Sequence, residues 1–108
     1  LICASAELAN GGKGVRFEIQ TASGMQAAFA VRYGGKVFGF LNRCAHIGIE
    51  LDWQPGEFFD ESGLYLVCTS HGATYQPDSG QCIAGPCRGA RLIRLDISEQ
   101  DGGIYLLK

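Results

Sequence analysis

Histidine is scarce in this chain of 108 residues: there are two, beside one tryptophan, one methionine and three prolines. No apolar run is long enough to span a bilayer, and no basic stretch leads into an apolar one as in a signal peptide. Lysine and arginine are missing altogether between Cys44 and Cys87, where Glu50, Asp52, Glu57, Asp60, Glu61 and Asp78 give a charge of −6. The rest of the chain carries +4, and the net charge of −2 argues against a nucleic-acid partner. Five cysteines are too few, and odd in number, for a secreted disulfide framework. The expectation is a protein of the reducing cytoplasm, outside the membrane.

What is present suits one β domain. Hydrophobic residues make up 46% of the chain and there are sixteen glycines, enough for a single core at this length. Residues 15–20 (Val-Arg-Phe-Glu-Ile-Gln) alternate apolar and polar with period two, the mark of a half-buried strand. Residues 26–33 and 36–41 read as two more strands, joined by Gly34-Gly35 as a hairpin turn. Residues 1–9 read as a short edge strand running into a turn, and residues 10–14, rich in glycine, as a loop. Later strands are expected at 64–67, 72–75, 92–97 and 104–107, with turns at 77–80 and 101–103. Trp53 and Phe58-Phe59, in the stretch 49–63, are expected to pack inward.

Both histidines fall within three residues of a cysteine. Cys44-Ala45-His46 and Cys68-Thr69-Ser70-His71 are separated by 21 residues, so two mixed Cys/His pairs stand where two isolated histidines would be ordinary core or surface residues. Cys44, His46, Cys68 and His71 are therefore expected to ligate a metal. Two thiolates and two imidazoles satisfy tetrahedral zinc, yet zinc modules usually group like ligands beside a short helix. Mixed pairs suit a [2Fe–2S] centre, where each loop hands one cysteine to one iron and one histidine to the other.

These motifs resemble those of the Rieske [2Fe–2S] family. Cys-Ala-His-Ile-Gly at 44–48 is similar to the family's first cluster loop and Cys-Thr-Ser-His-Gly at 68–72 to its second. Gly85-Pro86 is similar to the proline loop that covers the cluster. The resemblance implies an all-β fold, a Rieske-like antiparallel β sandwich with an inserted cluster-binding lobe at 42–88 on a base of residues 1–41 and 89–108. The stretch 49–63 is a few residues longer than is usual in the family.

The resemblance also implies tuning. High-potential members join an extra cysteine in each ligand loop as a disulfide; the matching positions here are Ile49 and Ser70. The family's serine and tyrosine donors to the cluster sulfurs are matched by Ala73 and Tyr75. A potential at the low end of the Rieske range follows, nearer about −150 mV than about +300 mV. Cys82 and Cys87, flanking the Gly-Pro lid, are expected to be inert thiols or, as the alternative, to form a local disulfide that stiffens the lid.

With both histidines assigned, none remains for a mononuclear iron site or a nucleophile–histidine pair, so an electron carrier is expected rather than an enzyme. By resemblance it is a monomeric, low-potential Rieske-type ferredoxin. Its partners are a flavoprotein reductase and a terminal oxygenase, the partner docking a basic surface on the acidic lobe. The alternatives are a small Rieske-fold subunit of a larger oxidoreductase such as nitrite reductase, and a zinc-stabilised binding module.

Overall fold

Alternation along residues 15–20 becomes a strand whose Arg16, Glu18 and Gln20 face outward while the residues between them are half-buried. The computed structural model describes residues 2–43, 50–52, 54, 56–68, 72–85 and 89–107. In chain order β1 (Cys3–Ala4) enters a single 3-10 turn at Ser5–Glu7, followed by β2 (Val15–Thr21), β3 (Gly24–Tyr33) and β4 (Lys36–Leu41). Then come β5 (Leu66–Cys68), β6 (Ala73–Tyr75), β7 (Cys82–Ala84), β8 (Arg94–Leu95), β9 (Ile97–Gln100) and β10 (Gly103–Leu106). All strand pairs are antiparallel, and the described residues contain no α-helix. The β3–β4 turn uses Gly34 and Gly35 at φ +59° and +81°, the left-handed pair that a two-residue hairpin requires.

Three sheets result, ordered β1-β10-β9, β2-β3-β4-β8 and β5-β6-β7. The second is the central layer. Phe29, Val31 and Phe40 from one of its faces pack with Leu66, Cys68, Ala73, Tyr75 and Cys82 of the third sheet. From the opposite face Ala30, with Val15, Phe17 and Val37 beside it, packs with Cys3, Leu8, Ile97 and Ile104. Side chains alternate across a strand, so a strand covered on both faces is apolar throughout. Residues 28–31 of β3 are accordingly all fully buried.

The expected single strand at 92–97 is instead two. β8 pairs with β4 (Gly39↔Leu95, Phe40↔Arg94), and β9 pairs with β10 in a different sheet. Between them the Asp96 carbonyl accepts a hydrogen bond from the Leu107 amide at 2.8 Å. Alternation continues across the junction from Ile93 to Ser98, so the sequence pattern shows no break where the chain changes sheets.

Arg32 of β3 joins the N-terminal segment to β9. Its guanidinium donates to the Leu8 carbonyl (2.8 Å), the Gly35 carbonyl (3.2 Å), and Glu99 Oε1 (2.9 Å) and Oε2 (2.5 Å). The Arg32 hydrogen bond lowers the Glu99 pKa from 4.5 to about 2. A carboxylate with a depressed folded-state pKa stabilises the protein above its unfolded pKa, and that stability is lost as pH falls toward the folded one. The stability difference between wild type and Glu99→Gln is therefore expected to be full above pH about 5 and to shrink progressively toward pH about 2. Urea unfolding followed against pH would read this; a difference constant with pH would reject the clamp.

Candidate metal centre

Strand β4 runs into Asn42 and Arg43, directly before the first Cys/His pair. Asn42 is buried (4% exposed), and its amide N–H donates to the Ala27 carbonyl at 2.9 Å, which fixes this end to β3. Its side chain reaches across the loop: Oδ1 accepts from the Leu51 amide (2.9 Å), and Nδ2 donates to Asp52 Oδ1 (2.8 Å). The other oxygen, Asp52 Oδ2, accepts from the Gly56 amide (2.9 Å) and lies 3.4 Å from Arg16 Nε. Arg16 Nη2 is 2.8 Å from Glu50 Oε2. The Asp52 side chain is fully buried, so hydrogen bonds and a guanidinium offset the cost of taking its charge out of water.

The second pair begins at the end of β5. Cys68 is fully buried, its Cα opposite Ala73 of β6, and the Gly72 amide returns to the Cys68 carbonyl at 2.8 Å. Gly85 follows β7 at φ +89°, and a Cβ there would come within 2.9 Å of the Gly72 carbonyl oxygen and 3.0 Å of Ala73 Cα. Only glycine lets that backbone lie against the second ligand segment. Ala73, at the family's serine position, is a buried methyl packed in the core. Tyr75 is fully buried in the same cluster.

Of the four expected ligands, Cys68 is described; Cys44, His46 and His71 lie outside the described residues, as do Ile49, Trp53, Ser70, Pro86 and Cys87. What is described fits a cluster: a buried cysteine at a strand end, the Gly72 amide bonded back to its carbonyl, and Gly85 lying close against Gly72 and Ala73. The donor set of two thiolates and two imidazoles fits the same group.

Of the two readings open for Cys82, the inert thiol is overturned: it is disulfide-bonded. Spacing along the chain does not show whether two sulfurs meet; tertiary geometry decides it. The disulfide also removes one observation that pointed to a reducing compartment. No helix among the described residues is long and apolar enough to cross a membrane.

The acidic segment is less uniform than its composition suggests. Asp52 is buried, Glu50 pairs with Arg16, and Asp60 accepts from the Ser62 amide and hydroxyl at 3.1 and 2.6 Å. Glu57, Glu61 and Asp78 remain as exposed residues of the segment. Sequence reasoning counted Asp52 with the surface charges and missed its role. The available signal was its position just beyond the loop, with Asn42 just before it.

Phe58 is the inward anchor expected of the stretch 49–63. It is fully buried and stacks on Phe29 with ring centroids 3.9 Å apart and planes 12° apart. The same stretch is tied to the loop at 10–14, where the Gly14 amide donates to the Gly56 carbonyl at 2.8 Å.

A family model described as a Rieske [2Fe–2S] domain matches residues 1–98. Among solved structures, a ferredoxin of Sphingomonas yanoikuyae B1 superposes with a TM-score of 0.74 at 21% identity, covering 99% of this chain and 95% of that one. The ferredoxin of carbazole 1,9a-dioxygenase from Nocardioides aromaticivorans IC177 gives 0.72 at 20% identity, covering 97% and 92%. A chain from a complex of reduced oxygenase and oxidized ferredoxin in carbazole 1,9a-dioxygenase gives 0.73 at 18%, covering 97% and 88%. These likenesses share the all-β architecture. No curated protein matches the chain.

Proposed function

Because the chain belongs to the Rieske [2Fe–2S] domain family, we propose that it is a one-electron carrier whose single [2Fe–2S] cluster is held by Cys44, His46, Cys68 and His71. The family match over residues 1–98 carries this reading. When bound, the cluster supplies reversible one-electron transfer. The chain's own contribution is to hold and shield it: Cys68 anchors one side at the rigid end of β5, and Gly85 brings the lid close. The core beneath, from Leu66 to Tyr75 and Phe40, keeps water from that side. In this reading residues 42–88 are the cluster lobe on a base of 1–41 and 89–108. Pairing of β1 with β10 and of β4 with β8 supports that division.

The proposed donor is a flavoprotein reductase and the proposed acceptor a terminal oxygenase. Support comes from the carbazole dioxygenase system, whose ferredoxin and oxygenase form a complex. Likeness in fold to ferredoxins supports a carrier over a subunit of a larger enzyme, and the cytoplasm is its proposed location. The missing hydroxyl at Ala73 supports a low potential, since hydrogen bonds to cluster sulfurs raise it. Tyr75 is the proposed remaining donor.

Glu57, Glu61 and Asp78 are the carboxylates proposed to meet a basic partner. If they steer docking, the second-order rate of electron transfer to the oxygenase falls by about tenfold or more as salt rises from about 0.01 M to about 1 M. Over that range the screening length contracts from about 30 Å to about 3 Å. Stopped-flow reoxidation of the reduced protein measures it. A rate indifferent to salt would reject acidic docking, and reduced protein that passes no electron to an oxygenase would reject the carrier role.

A further inference from the structure

We propose that Asn42 and Asp52 are positioning residues that clamp shut the base of the first ligand loop. The proposal rests on the reading of Cys44 and His46 as ligands. Residues 43–50 contain both, and the two bonds from the Asn42 side chain, to the Leu51 amide and to Asp52, span that segment from one end to the other. Each end is also tied to the central sheet: Asn42 through the Ala27 carbonyl of β3, and Asp52 through Arg16 of β2. Asp52 is held a second time by the Gly56 amide, itself part of the turn docked on Gly14.

The chemistry of the pair makes the arrangement specific. Asn42 must present an acceptor to the Leu51 N–H and a donor to Asp52. Asp52 must present one acceptor to Asn42 and another to the Gly56 N–H and Arg16. A buried carboxylate with an amide partner is costly to assemble from water. A leucine–leucine contact would serve packing alone, but would leave the Leu51 and Gly56 amides without acceptors at this site. What the polar pair adds is a fixed distance between the two ends of the loop, and hence between the residues entering and leaving the ligand pair. Groups that orient metal ligands in this way are commonly worth about 10- to 100-fold in metal affinity.

Substitution of either member alone breaks the pattern. In Asp52→Asn the new amide turns its NH₂ either toward the Asn42 NH₂ or toward the Gly56 N–H and Arg16, so one donor–donor contact remains in both orientations. In Asn42→Asp two carboxylate oxygens face one another at the 2.8 Å contact. The double exchange N42D/D52N restores every hydrogen bond. The amide at position 52 then donates across the loop and accepts from Gly56, while the carboxylate at position 42 accepts from Leu51.

The test measures, on the reconstituted holoprotein, the rate at which a chelator bleaches the visible absorption and the g-values of the dithionite-reduced form. Each single variant should lose its cluster about tenfold faster or more, with a broadened EPR signal. N42D/D52N should return to within about threefold of wild type with a sharp signal. Folded single variants that match wild type in both readouts would overturn the inference, as would a double exchange that recovers nothing. If neither single variant folds, recovery of a folded, loaded protein by the double exchange supports the clamp and its failure overturns it. Wild-type protein without a Rieske signal would instead overturn the ligand reading.

Discussion

Protein carrying Cys68→Ala is expected to purify colourless and without iron, whereas wild type is expected to be red-brown and, once reduced, to show an average g below the free-electron value. Cys68 sits fully buried where β5 ends, held by pairing with Ala73 and by the Gly72 hydrogen bond to its own carbonyl. Loss of one of four ligands opens the coordination sphere, so the effect should be complete rather than partial. His46→Ala and His71→Ala should behave alike. Cys3→Ala is the control: Cys3 is also buried, its pKa raised chiefly by that burial, but it belongs to the hydrophobic cluster on the opposite face of the central sheet. That variant should keep the full spectrum. A fully loaded Cys68→Ala protein would reject the ligand assignment, and a colourless, zinc-loaded wild type would move the chain to the binding-module reading.

The largest loss of stability is expected from Phe58→Ala. The ring is fully buried, stacked on Phe29, and Gly14 approaches so closely that a Cβ there would lie 2.7 Å from Phe58 Cδ2. Phe29 also meets Phe40 at 5.8 Å between centroids, so Phe58 completes a three-ring contact between the central sheet and the stretch after the first ligand loop. Truncation leaves a cavity that backbone on both sides prevents from collapsing. The expected cost is about 3–5 kcal/mol, a large share of the about 5–15 kcal/mol that holds a typical domain together. Phe59→Ala should cost far less, because Phe59 is half-buried at the edge of the core and, among the described rings, stacks on Tyr33 at 6.4 Å. Urea unfolding of both variants at unchanged m-value reads the difference. A Phe58→Ala cost below about 1 kcal/mol would mean the stretch is not anchored through this ring.

Much of the fold was legible because its signals are local. Alternation at residues 15–20 set which face of β2 turns outward, and paired glycines at 34 and 35 set the hairpin. Cys-x-His and Cys-x-x-His keep each pair of candidate ligands close together in the chain, so proposing them needed no folded structure. Other features were not legible for the opposite reason. Asp52 and Glu50 look alike in composition, yet one is buried against Asn42 while the other pairs with Arg16 at the surface. The strand expected over 92–97 alternates from Ile93 to Ile97 and still divides between two sheets.

By itself, then, the amino-acid sequence determined the β class, the principal hairpin, the four candidate ligands and the family they resemble. Each depends on residues close together in the chain, through backbone dihedrals, period-two alternation or ligand spacing. Only the tertiary structure decided that the central sheet is covered on both faces and that Cys82 is disulfide-bonded. It alone brought Arg16 to the carboxylates 34 and 36 positions further on, and Phe58 onto Phe29. Contacts of that kind close over long stretches of chain, and their partners leave no mark in the residues beside them; packing and burial, which exist only once the sheets have met, select them.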